Sequence, residues 1–260
     1  MNDSWRFIDS GNCEASFNMA IDEAIAISVR KGDVPPTLRL YGWDVPSVSI
    51  GCFQKIRDIN VEYCGEKNIP IVRRPTGGRA ILHYQDITYS FSTKTDFGLF
   101  SKGLFDSYKK ISYAFVLALS DLGLVSELKL QKEHNSKSPL CFQSISYGEV
   151  TIKNKKIIGS AQKRWLDSLL QQGSLPLTTD MNEMAKVFRF EAFEGVNKII
   201  GLKEILPDLK LKDLKDYIRI SFEETFDVKL TPSYPSHEEL SLAEELEVKK
   251  YLAPEWNFQR

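Results

Sequence analysis

The chain has 260 residues, of which 42% are hydrophobic and 27% charged, a composition that is typical of globular proteins and excludes a disordered chain. Lys and Arg (34) balance Asp and Glu (35) at a formal net charge of −1, so no overall basic field attracts nucleic acid or an anionic membrane. Four widely spaced cysteines form no Cys-x-x-Cys pair, which argues against a disulfide scaffold and a zinc site.

The termini and the apolar runs indicate the expected compartment. The first residues carry no basic stretch followed by an apolar one, so we expect no signal peptide. The longest strongly apolar run, at 113–119, is far shorter than the roughly 18 residues that a membrane span needs. We therefore expect a protein of the reducing cytoplasm with no membrane or nucleic-acid partner, no metal and no cofactor.

Hydrophobic periodicity predicts one helix near the start of the chain, followed by short strands. Apolar residues at helical spacing favour a helix over 16–31 that ends at Gly32. Five β-like runs follow, at 37–41, 47–50, 69–73, 79–83 and 87–92. The Pro-Thr-Gly-Gly turn at 75–78 lies between the third and fourth of these runs, and predicts a hairpin that joins them.

The second half of the chain alternates between the two types of element. We predict a helix over 105–122, strands over 149–152 and 156–161 joined by a turn at 153–155, and a strand over 169–177. Ser236 and Glu239 form a capping box ahead of the last helix. This interleaving predicts an α+β fold, a mixed β-sheet flanked by helices. No linker is visible, so we predict one domain over 1–260, mainly helical from about residue 205.

The densest cluster of polar signals surrounds the two glycines of the Pro-Thr-Gly-Gly turn. Glycines let a backbone approach a ligand closely, and arginines provide donors for a carboxyl, phosphate or thioester group. A tight hairpin with solvated arginines is the alternative interpretation, and for an isolated Gly-Gly turn the commoner one. The candidate ligand-binding residues of this segment are Arg73, Arg74, Gly77, Gly78, Arg79 and His83.

The second signal is a cysteine in a polar stretch, upstream of a Lys-x-x-Gly-Ser-Ala segment. A single cysteine is usually a buried apolar residue, but Pro139 near Cys141 indicates a loop, where an exposed thiol can react. Lys156 is either a surface residue of a hairpin or a cation that polarises an acyl carbonyl. We interpret the other cysteines as structural. A basic cluster predicts an acidic partner, and it comprises Lys153, Lys155, Lys156, Lys163 and Arg164.

Several of these segments, in this order, resemble the biotin/lipoate protein ligase superfamily, in particular its LipM-type octanoyltransferases. The resemblance covers nearly the whole chain and is carried by WRFIDSGN…FNMAIDEAI, LRLYGW…PSVSIGCFQ, RRPTGGRAILH…ITYSF, SPLCF, KIIGSAQKR and EWNFQR. It implies a catalytic domain related to those of class II aminoacyl-tRNA synthetases. It also implies that Cys141 accepts the acyl group and that Lys156 holds the acyl carbonyl. The residues from Arg73 to His83, with Gly159, Ser160 and Ala161, would bind the acyl substrate.

The resemblance implies transfer of octanoyl from octanoyl–acyl carrier protein, through a cysteine thioester, to a lysine of a lipoyl-accepting protein. The acceptor would be glycine cleavage H protein or a 2-oxoacid dehydrogenase E2. Alternatives are an ATP-dependent lipoate–protein ligase, an amidotransferase between lipoyl proteins, a thiol hydrolase, and an inactive module that binds lipoyl domains. The family commonly has Asp after the motif histidine, whereas this chain has Tyr84, which argues against a carboxylate acting beside His83.

Overall fold

The computed structural model describes residues 4–96, 98–129, 148–189 and 199–259. Its strands, in chain order, are β1 (Ser4–Cys13), β2 (Thr37–Trp43), β3 (Ser47–Ile50), β4 (Ile71–Arg73), β5 (Ile81–His83), β6 (Asp86–Lys94), β7 (Glu127–Lys129), β8 (Glu149–Ile152), β9 (Lys155–Arg164), β10 (Ser168–Pro176) and β11 (Lys229–Pro232). Its helices are α1 (Ala15–Lys31), α2 (Val61–Glu66), α3 (Leu104–Asp121), α4 (Met181–Val187), α5 (Leu202–Ile205), α6 (Leu211–Phe226), α7 (His237–Leu246) and α8 (Pro254–Asn257).

A large mixed sheet runs in the order β11-β1-β2-β6-β10-β9-β8-β7. Strand β1 is parallel to both of its neighbours, and the remaining pairs are antiparallel. The predicted α+β class with a mixed sheet is therefore confirmed. After residue 205 the described chain is helical apart from β11, which the sequence did not predict. The prediction that 1–260 form one domain stays a prediction.

The residues of β2 show how the large sheet separates two cores. Leu38 and Leu40 face the core beneath α3 and α6, whereas Tyr41 and Trp43 face the core beneath α1 and α7. Because side chains alternate along a strand, each strand serves both cores. Helix α1 is buried on almost every side, including its polar residues Asn18 and Asp22, because it lies between the sheet and α7.

The predicted hairpin between β4 and β5 is wrong, because both strands pair with β3 instead. In this small sheet, ordered β4-β3-β5, β4 is parallel to β3 and β5 is antiparallel to it. Residues 74–80 therefore pass over the end of β3. A Cβ on Gly51 would lie 2.0 Å from the carbonyl oxygen of Gly78, so the close crossing requires glycine at position 51. Helices α2 and α4 complete a third core around this sheet.

The hairpin between β8 and β9 is confirmed, with a turn one residue shorter than predicted. Lys153 and Asn154 both have positive φ, at 50° and 60°, as a two-residue type I′ turn requires. The capping box of α7 is also confirmed, since Ser236 Oγ accepts from Glu239 N at 3.2 Å and Glu239 Oε2 accepts from Ser236 N at 2.7 Å.

Candidate active site

A cleft lies where the two sheets meet, beside α1. Apolar side chains from three elements line it: Met19 of α1, Trp43 of β2 and Ile81 of β5. The predicted binding residues in its lining are Arg74, His83, Gly159, Ser160 and Ala161. An apolar cleft with a few polar groups is the usual form of a small-molecule site. Five of the nine predicted binding residues are thus brought together here.

Strand β10 forms a flat part of the wall at Gly173. A Cβ on this glycine would lie 2.3 Å from Cε1 of Tyr89 and 2.6 Å from Oγ of Ser160, so no larger residue fits beside them. The Tyr89 hydroxyl lies 2.8 Å from Ser160 Oγ and accepts from Gln171 Nε2 at 2.9 Å. Burial raises the pKa of Tyr89 to about 12, so this phenol is protonated at neutral pH.

A buried carboxylate, that of Asp22, connects α1 to the large sheet. Asp22 accepts hydrogen bonds from Arg39 Nη1 at 2.8 Å, Tyr41 Oη at 2.8 Å and Ser90 Oγ at 2.6 Å. It also accepts from Gln172 Nε2 at 2.7 Å, and the carbonyl of the same amide accepts from Thr76 Oγ1 at 2.9 Å. Gln172 therefore holds the 74–80 segment against β10.

Arg73 and Arg74 donate mainly to main-chain carbonyls. Arg73 lies outside the cleft lining and is fully buried, and its guanidinium donates to the carbonyls of Gly51, Gln54, Trp256, Asn257 and Gln259 at 2.7–3.1 Å. Arg74 donates to the carbonyls of Ser49, Gly77 and Arg79 at 2.7–3.2 Å. Arg74 therefore holds the backbone of the 74–80 segment, whereas Arg73 holds the C-terminal residues and the chain that follows β3. The sequence had predicted that both bind a ligand. Direct contact of either with substrate stays a prediction.

One glycine of the segment, Gly78, lies at its contact with β9. Gly78 has φ +84°, and a Cβ there would lie 2.9 Å from Arg74 Nη2 and 3.2 Å from the Cβ of Ala161. Gly77 has open space where its Cβ would lie. Gly77, Gly78 and Arg79 are not in the lining of the cleft, and their roles in binding stay predictions.

His83 is held on three sides. Its ring stacks on Trp43 with centroids 3.9 Å apart and planes at 17°. Nε2 lies 2.8 Å from Ser49 Oγ, and Nδ1 lies 2.8 Å from Asp86 Oδ2. A carboxylate therefore does lie beside this histidine, although the Tyr84 that follows it in the sequence argued against one. The carboxylate comes from three residues further on, at the start of β6, because the turn after β5 brings Asp86 back to the ring.

Lys156 is a buried residue, and its expected place in a surface basic cluster is wrong. Its side chain has no exposed area, and its ammonium forms an ion pair with Glu149, whose side chain is 4% exposed. Thr151 pairs with Lys156 across β8 and β9, which puts Glu149 at a diagonal position on the same face. Lys156 lies outside the cleft lining formed by the described residues. Its contact with an acyl carbonyl stays a prediction.

Cys141, the predicted nucleophile, lies outside the described residues, as does His134. Cys13 and Cys64, two of the cysteines interpreted as structural, have thiols of lowered reactivity. Burial raises the pKa of Cys64 to about 11, and burial also raises the pKa of Cys13. Since the thiolate is the reactive form, both should react slowly at neutral pH.

The sequence did not identify Ser49, Asp86, Glu149 or Gln172 as functional residues. Ser47 and Ser49 alternate with apolar residues in a β-run, which indicates that one face of this strand is polar. The sequence could not show that this face borders a cleft, because the other walls of the cleft come from distant strands.

Within the described part of the chain, no cluster of three His, Cys, Asp or Glu could hold a metal ion. Across the same ranges, no helix combines the length and apolar character of a membrane span.

The chain is similar to proteins of known name over its full length. The family model of the lipoyl protein ligase A/B catalytic domain matches residues 14–223. Octanoyltransferase LipM of Kyrpidia tusciae is 34% identical over 273 residues, covering 99% of each chain. Octanoyltransferase LipM of Bacillus subtilis is 33% identical over 276 residues, again covering 99% of each.

Solved structures show the same fold. Lipoate-protein ligase A bound with ATP superposes with a TM-score of 0.84 at 24% identity, over 99% of both chains. The bi-partite lipoate protein ligase of Thermoplasma acidophilum gives a TM-score of 0.83 at 24% identity, over 99% of this chain and 98% of that one. The chain therefore belongs to the family of the lipoyl protein ligase A/B catalytic domain and, within it, to the LipM-type octanoyltransferases, which makes it an acyltransferase.

Proposed function

We propose that this acyltransferase moves an octanoyl group from octanoyl–acyl carrier protein, through a thioester on Cys141, to a lysine of a lipoyl-domain protein. The observation that carries the proposal is identity of 33–34% over 99% of the chain with proteins named octanoyltransferase. The ATP-dependent ligase has less support, because the solved ligases at 24% identity share the fold alone.

A thioester donor explains how the reaction proceeds without nucleotide. A free fatty acid must be activated before it forms an amide, whereas a thioester already carries a good leaving group. The Cys141 thiolate attacks the donor thioester, the carrier thiol leaves, and the acceptor amine then attacks the thioester on Cys141. Two successive acyl transfers at the same carbonyl carbon therefore replace the ATP-dependent activation of a free fatty acid that a ligase performs.

The cleft offers an environment suited to the acyl chain. Met19, Trp43 and Ile81 provide apolar contact of the kind that usually lines a small-molecule site. Gly159, Ser160 and Ala161 form one wall on β9, the same strand that carries Lys156. We propose that Lys156 stabilises the negative charge that develops on the carbonyl oxygen.

The acceptor is a protein with a lipoyl domain, and we propose glycine cleavage H protein or a 2-oxoacid dehydrogenase E2. The structure of the Thermoplasma acidophilum ligase was determined as part of a system with its E2 lipoyl domain. A catalytic thiol must be reduced to react, which favours the cytoplasm as the compartment. An amidotransferase would use the same cysteine with an octanoylated lipoyl protein as donor.

The decisive experiment follows the acyl group on the intact protein. Incubation with octanoyl–acyl carrier protein, without ATP, magnesium or acceptor, should add one octanoyl mass to Cys141, and hydroxylamine should remove it. Cys141→Ala should abolish labelling and transfer, whereas Cys13→Ala and Cys64→Ala should retain both.

Four other results would each contradict part of this proposal. Transfer from free octanoate that depends on ATP would make the chain a ligase. Labelling only from an octanoylated lipoyl protein would make it an amidotransferase. Transfer by Cys141→Ala at the wild-type rate would refute the acyl-enzyme, and absence of any labelling or transfer would favour an inactive binding module.

A further inference from the structure

A continuous line of hydrogen bonds enters the cleft from its polar side. Arg74 Nη1 lies 3.1 Å from Ser49 Oγ, Ser49 Oγ lies 2.8 Å from His83 Nε2, and His83 Nδ1 lies 2.8 Å from Asp86 Oδ2. Arg74, Ser49 and His83 all line the cleft. Ser49, His83 and Asp86 come from β3, β5 and β6, so only the assembled fold brings them together.

The available hydrogens determine the direction of each bond. A guanidinium nitrogen can only donate, so Ser49 Oγ accepts from Arg74 and gives its single hydrogen to His83 Nε2. Nε2 therefore carries the lone pair, and Nδ1 carries the hydrogen that it donates to Asp86. This assignment of the tautomer follows from the network. The serine hydroxyl keeps one lone pair for a further donor.

The carboxylate and the ring are oriented for this tautomer. Asp86 Oδ2 also accepts from Thr88 Oγ1 at 2.9 Å and from Ser174 Oγ at 2.6 Å. Trp43 Nε1 donates to Thr88 Oγ1 at 2.9 Å while its ring stacks on the imidazole. A carboxylate behind a histidine fixes the ring and stabilises the imidazolium that forms when the other nitrogen takes a proton.

The proposed transfer requires such a proton acceptor. The ordinary pKa of a lysine side chain is about 10.4, so at neutral pH only roughly one side chain in a few thousand is the nucleophilic amine. We propose that Ser49, His83 and Asp86 form a relay that removes this proton from the acceptor lysine, a role that rests on the proposed function. Ser49 and His83 act as catalytic residues, and Asp86 acts as a positioning residue.

Each proton in the step has a defined destination. The acceptor ammonium gives one proton to Ser49 Oγ while the Ser49 hydrogen passes to His83 Nε2, which leaves an imidazolium paired with Asp86. The free amine forms a bond to the carbonyl carbon of the thioester. The C–S bond then breaks, and the second proton of the nitrogen goes to the departing sulfur of Cys141. The imidazolium finally returns its proton to water through Ser49.

The relay can be tested by comparing how fast two nucleophiles, hydroxylamine and an acceptor lysine, discharge the octanoyl-enzyme. Hydroxylamine is already unprotonated at neutral pH and needs no base, whereas an acceptor lysine does. The enzyme is first loaded with octanoyl from octanoyl–acyl carrier protein, and discharge is then timed by mass spectrometry with either nucleophile. In Ser49→Ala, His83→Gln and Asp86→Asn, whatever fraction of the enzyme has loaded should react with hydroxylamine at the wild-type rate. Transfer to lysine should fall about a hundredfold or more, the usual contribution of general base catalysis.

Ser47→Ala is the matched control. Ser47 lies on the same strand and is as buried as Ser49, but its hydroxyl donates to the carbonyl of Val45 at 2.8 Å. It should transfer to lysine at the wild-type rate. The relay is refuted if Ser49→Ala transfers to lysine as fast as wild type, or if both nucleophiles slow equally, as distortion of the cleft would cause. Asp86→Asn gives the same readout should Ser49→Ala not fold. A wild-type enzyme that never loads would refute the proposed function itself.

Discussion

Two ion pairs, Arg39–Asp22 and Lys156–Glu149, are fully or almost fully buried. Removing two charges from water costs several kcal/mol per ion, and their attraction offsets that cost only with good geometry and further hydrogen bonds. Asp22 has those bonds from Tyr41, Ser90 and Gln172. Such pairs add little net stability, so they are better explained as devices that fix side-chain positions.

The pair Lys156–Glu149 gives a residue-scale prediction that separates catalysis from folding. Lys156→Met should lower turnover by about a hundredfold or more if the ammonium stabilises the carbonyl oxygen. It should also lower the free energy of unfolding by about 3–5 kcal/mol, because it leaves the Glu149 carboxylate buried without its ion-pair partner. The double variant Lys156→Met/Glu149→Leu should recover most of that stability, measured by urea unfolding, without recovering activity.

The neighbouring lysine serves as the control for this prediction. Lys155 is half-buried, on the opposite face of β9, so Lys155→Ala should change both quantities little. A double variant with wild-type turnover would show that Lys156 is structural.

Among the elements, the C-terminal α8 has a clear function in fixing β4. Trp256 Nε1 donates to the carbonyl of Arg73 at 2.8 Å, and Asn257 Oδ1 accepts from Arg73 N at 2.8 Å. Asn257 Nδ2 donates to the carbonyl of Tyr251 at 2.7 Å. A four-residue helix has little stability of its own, so these contacts hold α8 and the start of the 74–80 segment to each other.

Removing the amide of Asn257 tests this element. Asn257→Ala should lower the free energy of unfolding by about 1–3 kcal/mol, because a buried N–H of Arg73 and a carbonyl of Tyr251 lose their partners. Glu255→Gln, at an exposed position of the same helix, should change stability by no more than about 0.5 kcal/mol. Urea unfolding measures both, and equal effects would show that α8 does not anchor β4.

For the whole molecule, the net charge of −1 excludes long-range steering, so any electrostatic docking depends on local clusters. The hairpin of β8 and β9 carries Lys153 in its turn and Lys155 at the start of β9, at one side of the large sheet. Lys229 of β11 lies on the edge strand at the other side. Acyl carrier protein is generally acidic, so its docking should depend on the first pair and not on Lys229.

Charge reversal tests docking at this scale. Lys153→Glu/Lys155→Glu should raise the KM for octanoyl–acyl carrier protein and flatten its salt dependence, while kcat remains near wild type. Screening acts over about 8 Å at physiological ionic strength, so the wild-type KM should rise with salt. Lys229→Glu is the matched control and should behave as wild type. A wild-type KM that does not change with salt would exclude electrostatic docking.

Local patterns were sufficient for the elements with strong periodicity. The predictions for α1, α3, β2, β6 and β10 were correct to within two residues at each boundary. Strands β1, β7 and β11 were missed because few of their residues are buried, so they show neither strict alternation nor a continuous apolar run. The order of these strands in the sheets depends on non-local pairing, which periodicity does not encode.

By itself, the sequence determined the α+β class, the elements with clear hydrophobic periodicity and, through its resemblance, the acyltransferase family, because these depend on local patterns and ordered motifs. Only the tertiary structure decided that Arg73 donates to the C-terminal segment, that Glu149 pairs with Lys156 and that Ser49 and Asp86 meet His83. The physical reason is that a hydrogen bond or ion pair requires atoms within about 3 Å, a condition set by strand order and burial.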